Sequence, residues 1–218
     1  MLLTNLKIAT LQAEADFGLI ENGAIAIEGE DIVWVGDITD VPAVYTRRSS
    51  HDMGGRLITP SLIDCHSHVV FGGNRAVEFE LRLNGATYAE VAKAGGGIVS
   101  TVIATRSASQ DALLADALTR VDAMIAEGVT VMEVKSGYGL DLETELKMLR
   151  VARMIARDRD VDIRTTFLGA HAVPAEFRDR ADAYIDDVCI PTLCAAHAEG
   201  LVDAVDGFCE GIAFDSQQ

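Results

Sequence analysis

The chain has 218 residues, 49% apolar and 24% charged, which is typical of a globular protein with material for one large domain or two small ones. Its formal net charge of −16 repels phosphate backbones, so we expect no nucleic-acid partner. No apolar run approaches the length of a membrane span, and the N-terminus does not resemble a signal peptide. The four cysteines lack Cys-x-x-Cys spacing, which favours reduced thiols and predicts a cytoplasmic protein. Because no apolar run is long enough to span a bilayer, we expect no membrane partner.

The beginning of the chain is predicted to be rich in β-strands. Apolar and polar residues alternate in three stretches separated by turn-forming residues, Leu6–Leu11, Ala24–Glu28 and Ile32–Gly36. No helical pattern accompanies them. We therefore predict that residues 1–56 form part of a small N-terminal β-sandwich domain or a β-ribbon.

Two histidines, His66 and His68, follow the apolar stretch Leu57–Asp64. If this stretch is extended, both imidazoles project from the same face, because side chains alternate along a strand. Two converging neutral imidazoles are half of a four-ligand zinc or iron site, and such an ion can activate water near neutral pH. A His-x-His pair alone fits two surface histidines as well. The glycine-bearing segment Phe71–Arg75 that follows is typical of loops at the carboxyl ends of barrel strands, which favours a metal-dependent hydrolase.

Strands and helices alternate in the remainder of the chain. Strands are predicted over Val129–Val134, Val161–Leu168 and, more weakly, Val205–Cys209. Helices are predicted after the capping residues Ser109 and Asp141, with apolar faces Leu114–Leu118–Val121–Ile125 and Leu142–Leu146–Leu149–Ala152, and from about Ala181 to Glu199 with a perturbation at Pro191. This alternation predicts an α/β fold with a parallel sheet and helices outside it.

The number of strand–helix units is too small for a closed barrel. Residues 57–218 hold about four units, whereas an eight-unit barrel takes about 250 residues. Half a barrel would expose two long strand edges, which stable proteins avoid. The alternatives are an open α/β sheet or the first half of a longer barrel.

Seven motifs between Thr59 and Phe214 carry a family resemblance. They are Asp64–His68, Phe71–Arg75, Glu78–Arg82, Ala94–Ile98, Lys135–Asp141, Phe167–Pro174 and Phe208–Phe214. In this order they resemble the imidazolonepropionases, amidohydrolases that act in histidine degradation. The resemblance implies a partial (β/α)8 TIM-type barrel over residues 57–218, with about the first four βα units, preceded by part of the family's small sandwich domain.

The resemblance also implies an activity and a cofactor. Its substrate is 4-imidazolone-5-propanoate, whose cyclic amide is hydrolysed to N-formimidoyl-L-glutamate by water activated on one zinc or iron ion. His66 and His68 match the first two metal ligands. The other two, a histidine and an aspartate, would lie beyond Gln218, and His197 is no substitute because its surroundings are helical. A homodimer is a possible assembly.

Three further residues match substrate-contacting positions of that family. Arg75 matches the arginine that binds the propanoate carboxylate, Tyr138 matches a substrate-binding tyrosine, and Tyr88 is a second candidate. His171 matches a histidine that contacts the imidazolone ring, and we expect it to be catalytic. Without the resemblance, each of these residues also has a purely structural interpretation. Arg75 is then a solvated surface charge, Tyr138 packs beneath a turn, and His171 makes a local backbone contact.

Two other interpretations stay open. Another amidohydrolase, such as an aromatic deaminase, would not need Arg75 as a carboxylate clamp. An inactive truncated fragment or binding module would keep the motifs without holding a metal ion tightly. Lys135 shares a strand face with Glu133, and we interpret it as an internal ion-pair or positioning residue.

Overall fold

The structure is a computed structural model that describes residues 1–12, 16–85, 87, 96–210 and 213–218. The chain divides into two compact units, Met1–Ser61 and Leu62–Gln218. Among the described residues, no helix combines the length and the apolar character that crossing a bilayer requires.

The described part of the first unit contains a four-stranded mixed sheet. Its strands are β1 (Leu2–Ala9), β2 (Leu19–Glu28), β3 (Asp31–Asp37) and β4 (Ser50–Ile58), in the order β3-β2-β1-β4. Only the β1–β4 pair is parallel. The unit also contains helix α1 (Ala43–Thr46) and 3₁₀ turns at Asp16–Gly18 and Ile38–Asp40. Buried apolar side chains lie in two clusters along β1 and β2, one around Leu6 and Ile8 and one around Leu2 and Ala24.

Strand β4 was not predicted, and two adjacent glycines interrupt its local pattern. Gly54 and Gly55 both have positive φ values, +65° and +75°. The register with β1 shifts at this point, so that Thr4 faces Asp52 whereas Leu6 faces Arg56. The glycines therefore form an irregularity that the strand passes through.

The second unit is a mixed α/β fold around a parallel sheet. Its described strands, in the order β5-β6-β7-β8, are β5 (Leu62–Ser67), β6 (Val129–Lys135), β7 (Asp162–Ala170) and β8 (Ala204–Gly207). Its described helices are α2 (Ala76–Leu83), α3 (Ile98–Ser107), α4 (Gln110–Ala126), α5 (Leu142–Asp158), α6 (Ala181–Tyr184) and α7 (Ile190–Ala198), with a 3₁₀ turn at Ala175–Phe177. The predicted alternation and the parallel sheet are confirmed.

The apolar stretch before the histidine pair is not one strand. Leu57 and Ile58 belong to β4, whereas β5 begins only at Leu62. Pro60 lies between the two strands, where its missing N–H costs no ladder hydrogen bond. The stretch is therefore not extended throughout, but its last part and His66 lie in the strand β5.

The helix caps follow the prediction. The Ser109 hydroxyl accepts a hydrogen bond from the Ala112 N–H at 3.2 Å, and the Asp141 carboxylate accepts one from the Thr144 N–H at 2.7 Å. The buried face of α4 is rotated from the predicted one, because Leu113 is fully buried and Leu114 only partly.

The perturbation predicted at Pro191 is a π-helical turn. Residues Ile185–Cys189 form this turn between α6 and α7. Proline lacks the N–H that would continue the α-helical ladder, so the preceding backbone takes a wider turn. The helix ends at Ala198, close to Gly200 with its φ of +67°.

Candidate active site

The carboxyl ends of four parallel strands bring the aromatic site candidates together. His66 and His68 lie at the end of β5, Tyr138 lies three residues after β6, and His171 directly follows β7. Phe208, directly after β8, adds a fifth ring, whose centroid lies 6.1 Å from that of His171. Because parallel strands end at one edge of a sheet, residues distant in sequence converge there.

Four of these rings form a compact cluster. The ring centroids of His66 and His68 lie 5.7 Å apart. The His68 centroid lies 5.0 Å from that of Tyr138 and 5.1 Å from that of His171, against which it is stacked. The Tyr138 and His171 centroids are 5.3 Å apart. The structure thus brings His66, His68, Tyr138 and His171 into one site, whereas their chemical roles stay predictions.

His68 is held in its neutral form. Burial, followed by the neighbouring His171, His66 and Lys135, lowers its pKa to about 4. Its Nδ1 atom is buried and has no hydrogen-bond partner in the described structure. A neutral imidazole with an unpaired ring nitrogen can donate to a metal ion. The described residues contain no group of three or more His, Cys, Asp or Glu side chains that could hold one.

His171 is oriented by a backbone carbonyl. Its Nδ1 atom lies 2.9 Å from the carbonyl oxygen of Gly137. A carbonyl oxygen only accepts hydrogen bonds, so Nδ1 carries the proton and Nε2 is the free acceptor of the neutral ring. Burial lowers the pKa of His171, although the bond to Gly137 opposes the shift, and this favours the neutral ring near neutral pH.

A cavity of about 330 Å³ adjoins the ring cluster. Arg75 and Tyr138 line it together with Phe71, Gly73, Asn74, Thr101 and Arg120. The Arg75 Nε atom donates to the buried Thr101 hydroxyl at 3.1 Å, so the two Nη groups are the part of this guanidinium that could receive a carboxylate. Tyr88, like Ala94, Gly95, Gly211 and Ile212 of the matching motifs, lies outside the described residues.

Lys135 is an internal ion-pair residue, as predicted. Its ammonium group lies 2.9 Å from carboxylate oxygens of both Glu133 and Asp206, and its side chain is only 6% exposed. Burial favours the neutral amine, but the two carboxylates outweigh it and raise the pKa of Lys135. Lys135 is therefore a paired cation.

Two residues near the site were missed from the sequence. Arg120 stacks its guanidinium 3.7 Å from the Phe71 ring centroid and donates to the Val69 carbonyl at 2.8 Å. Nothing in the local sequence distinguishes it from other helical arginines. Glu145 is fully buried beneath the loop that carries Tyr138. The sequence feature that could have revealed it is its position on the apolar face of α5, next to Leu146. A charged side chain buried on such a face needs hydrogen-bond partners inside the protein.

Comparison with known proteins identifies relatives that span the whole chain. A curated imidazolonepropionase from Roseobacter denitrificans is 74% identical over 218 residues, which are 100% of this chain and 55% of that protein. Imidazolonepropionases from Ruegeria sp. and Ruegeria pomeroyi are 66% and 64% identical, over 99% and 100% of the chain and 53% and 54% of their own lengths. The chain is a relative of the imidazolonepropionases. The resemblance seen in its motifs is thereby confirmed, and the chain spans about half the length of the curated imidazolonepropionases it matches. No protein-family model matches the chain.

Solved structures agree with the fold. A 5-methylcytosine deaminase from Klebsiella pneumoniae is 16% identical, with a TM-score of 0.55 over 86% of this chain and 41% of the deaminase. An N-isopropylammelide isopropylaminohydrolase from Burkholderia multivorans is 19% identical, with a TM-score of 0.52 over 94% of this chain and 43% of that enzyme. At these identities the likeness shows a shared fold alone.

Proposed function

We propose that this chain carries substrate-binding and metal-binding residues of an imidazolonepropionase. The reaction is the hydrolysis of the cyclic amide of 4-imidazolone-5-propanoate to N-formimidoyl-L-glutamate in histidine degradation. The observation that carries the proposal is that Arg75 and Tyr138 line one cavity, while the Tyr138 ring also contacts His68 and His171. A cation for a carboxylate tail therefore lies beside imidazoles that suit a polar heterocycle. The 74% identity to a curated imidazolonepropionase supports the same reaction.

Arg75 binds the propanoate tail in this proposal. Thr101 holds its Nε atom, which orients the planar Nη groups for a bidentate carboxylate. Tyr138, which also lines the cavity, contacts the substrate, and Tyr88 adds a second phenol. An aromatic deaminase has no need of this clamp, so the arrangement favours a carboxylate-bearing substrate.

His66 and His68 would hold one zinc or iron ion. The buried, unpartnered Nδ1 of His68 and its pKa of about 4 fit this role, because a metal ligand must offer a neutral imidazole. Two imidazoles are an incomplete donor set, so the remaining ligands come from elsewhere in the protein. The ion supplies Lewis-acid activation of water near neutral pH.

His171 contacts the imidazolone ring and moves a proton in this proposal. Because the Gly137 carbonyl fixes the proton on Nδ1, the free Nε2 is the atom that can take a proton or accept a hydrogen bond from the substrate. Its lowered pKa keeps this acceptor available at neutral pH.

The finer structural predictions accompany this function. We propose that residues 57–218 form the first half of a (β/α)8 TIM-type barrel and that residues 1–56 form part of a β-sandwich domain. The parallel sheet β5-β6-β7-β8 and the apolar clusters along β1 and β2 support these assignments. The cytoplasmic location and the homodimer stay predictions.

The test is turnover by the purified full-length protein loaded with zinc or iron. Conversion of 4-imidazolone-5-propanoate should give a product heavier by one water, without release of ammonia, and a chelator should abolish it. Ammonia release from an aromatic substrate would favour a deaminase instead. The inactive-fragment interpretation would gain support if the 218-residue chain by itself retained no metal and turned over no substrate.

A further inference from the structure

A buried carboxylate lies beneath the loop that follows β6. Glu145, on α5, is 1% exposed, and its carboxylate accepts hydrogen bonds from three backbone N–H groups of this loop. The donors are the N–H groups of Gly137 at 3.0 Å, Gly139 at 2.7 Å and Leu140 at 2.9 Å. Because a buried carboxylate with three amide donors binds a single backbone conformation, Glu145 fixes the course of this loop.

The carbonyl groups of the same loop are held from the other side. Arg106 donates from Nε to the Gly139 oxygen at 2.7 Å and from Nη2 to the Leu140 oxygen at 3.2 Å. It also pairs with Asp141 at 2.9 Å. The loop is thus bonded through its amides and its carbonyls, which is far more than a connection between a strand and a helix requires.

The groups that this loop presents belong to the ring cluster. The Gly137 N–H bonds to Glu145, while the carbonyl oxygen of the same residue lies 2.9 Å from His171 Nδ1. Tyr138, between the two bonded glycines, contacts both His68 and His171. A shift of the loop would therefore move the Tyr138 ring and remove the carbonyl that fixes the His171 tautomer.

We propose that Glu145 is a positioning residue for the reaction, acting through the Gly137–Leu140 loop on Tyr138 and on the proton of His171. This inference rests on the proposed function. Glu145 is too deeply buried to touch the substrate. Glu145 acts by fixing the conformation of the loop. Without its carboxylate, the buried amides must form hydrogen bonds with other acceptors, and the loop backbone must change its conformation.

The decisive variant is Glu145→Gln in the full-length, metal-loaded protein. It keeps the size of the side chain and one acceptor oxygen, but it places an amide NH₂ group among N–H donors. We expect at least a tenfold loss in kcat/KM and a change in the ring ¹⁵N signals of His171, assigned with a His171→Gln variant. Glu143→Gln makes the same change at an exposed position of the same helix and should stay within twofold of the wild type.

A second variant keeps the inference testable if Glu145→Gln does not fold. Glu145→Asp retains the charge but draws the carboxylate back by one methylene, so it should restore part of the activity and of the wild-type His171 signals. Unchanged His171 signals in a folded Glu145 variant would overturn the inference, even if the thermal midpoint fell. If the wild type and Glu143→Gln both lack turnover, the proposed function fails, while the ¹⁵N signals still decide whether Glu145 sets the His171 tautomer.

Discussion

A matched pair of glycine substitutions tests whether the backbone at the end of β6 shapes the site. Gly128 precedes β6 and Gly137 follows it, with φ values of +98° and +107°. A Cβ at Gly128 would meet nothing within 4 Å, whereas one at Gly137 would lie 2.7 Å from the Leu168 oxygen and 2.9 Å from His171 Nδ1. Both alanine variants carry the strain of positive φ, but only Gly137→Ala also disturbs the ring cluster.

The two contributions can be separated in magnitude. Positive φ costs a non-glycine residue about 1–2 kcal/mol, and we expect Gly128→Ala to lower the free energy of unfolding by that amount. Forcing atoms into packed space costs a further ~1–3 kcal/mol, so Gly137→Ala should lose about 2–5 kcal/mol in total.

Urea unfolding and steady-state kinetics on the full-length protein measure both quantities. Gly137→Ala should lower kcat/KM at least tenfold, because His171 must move, while Gly128→Ala should stay within twofold of the wild type. Equal activity of the two variants would refute the view that the backbone at Gly137 positions His171. Equal losses of stability would show that the Leu168 carbonyl and the His171 ring yield at little cost.

Three further predictions concern the charged and metal-binding groups. Arg75→Ala should raise KM for the propanoate substrate at least tenfold with a smaller change in kcat. As a control, Arg157→Ala at an exposed position should leave KM unchanged. An unaltered KM in Arg75→Ala would contradict the assignment of Arg75 to the substrate carboxylate. His66→Ala should abolish both metal retention, measured by elemental analysis, and turnover. Normal metal content in this variant would contradict the metal site. As a control, His197→Ala, in α7, should retain both metal and turnover. In chelator-treated protein, the free energy of unfolding should fall as the pH drops from about 6.5 to about 4, because the folded state holds His68 neutral while the unfolded chain takes up the proton. The His68 contribution should be at most about 3 kcal/mol, reduced by residual solvent screening, and a His68→Gln variant should lose less stability over this range than the wild type, with the lowered pKa of His171 still contributing.

Local features of the fold could be predicted from the sequence, and non-local ones only in part. The caps at Ser109 and Asp141 depend on bonds to residues three positions away, and both are present. Strand β4 depends on its partner β1, some 48 residues earlier in sequence (Leu2 faces Ser50), and this partner is not visible in the local pattern. The rotation of the buried face of α4 has the same origin, since the neighbouring helix α5 and strand β6 decide which residues are covered.

The convergence of the site residues followed from one rule, whereas the residues that support them did not. Parallel strands end at one edge, which is sufficient to bring His68, Tyr138 and His171 together. Glu145 follows no such rule, because its partners are backbone amides that every sequence contains. Only its place on an apolar helix face distinguished Glu145 in the sequence. Its hydrogen-bond partners could be identified only from the structure.

A polar network across β6, β7 and β8 explains how three separate strand ends keep a fixed spacing. Glu133 on β6 accepts a hydrogen bond from Thr166 on β7, and Lys135 bonds Glu133 and reaches Asp206 on β8 at 2.9 Å. Lys135 and Thr166 are also register partners in the sheet. Apolar contacts would tolerate a small slide of one strand against the next, whereas these directional bonds of the buried Lys135 and Thr166 fail unless the register is kept. The rings of Tyr138 and His171 lie just beyond the same strand ends, so a register that satisfies Lys135 also sets the distance between them.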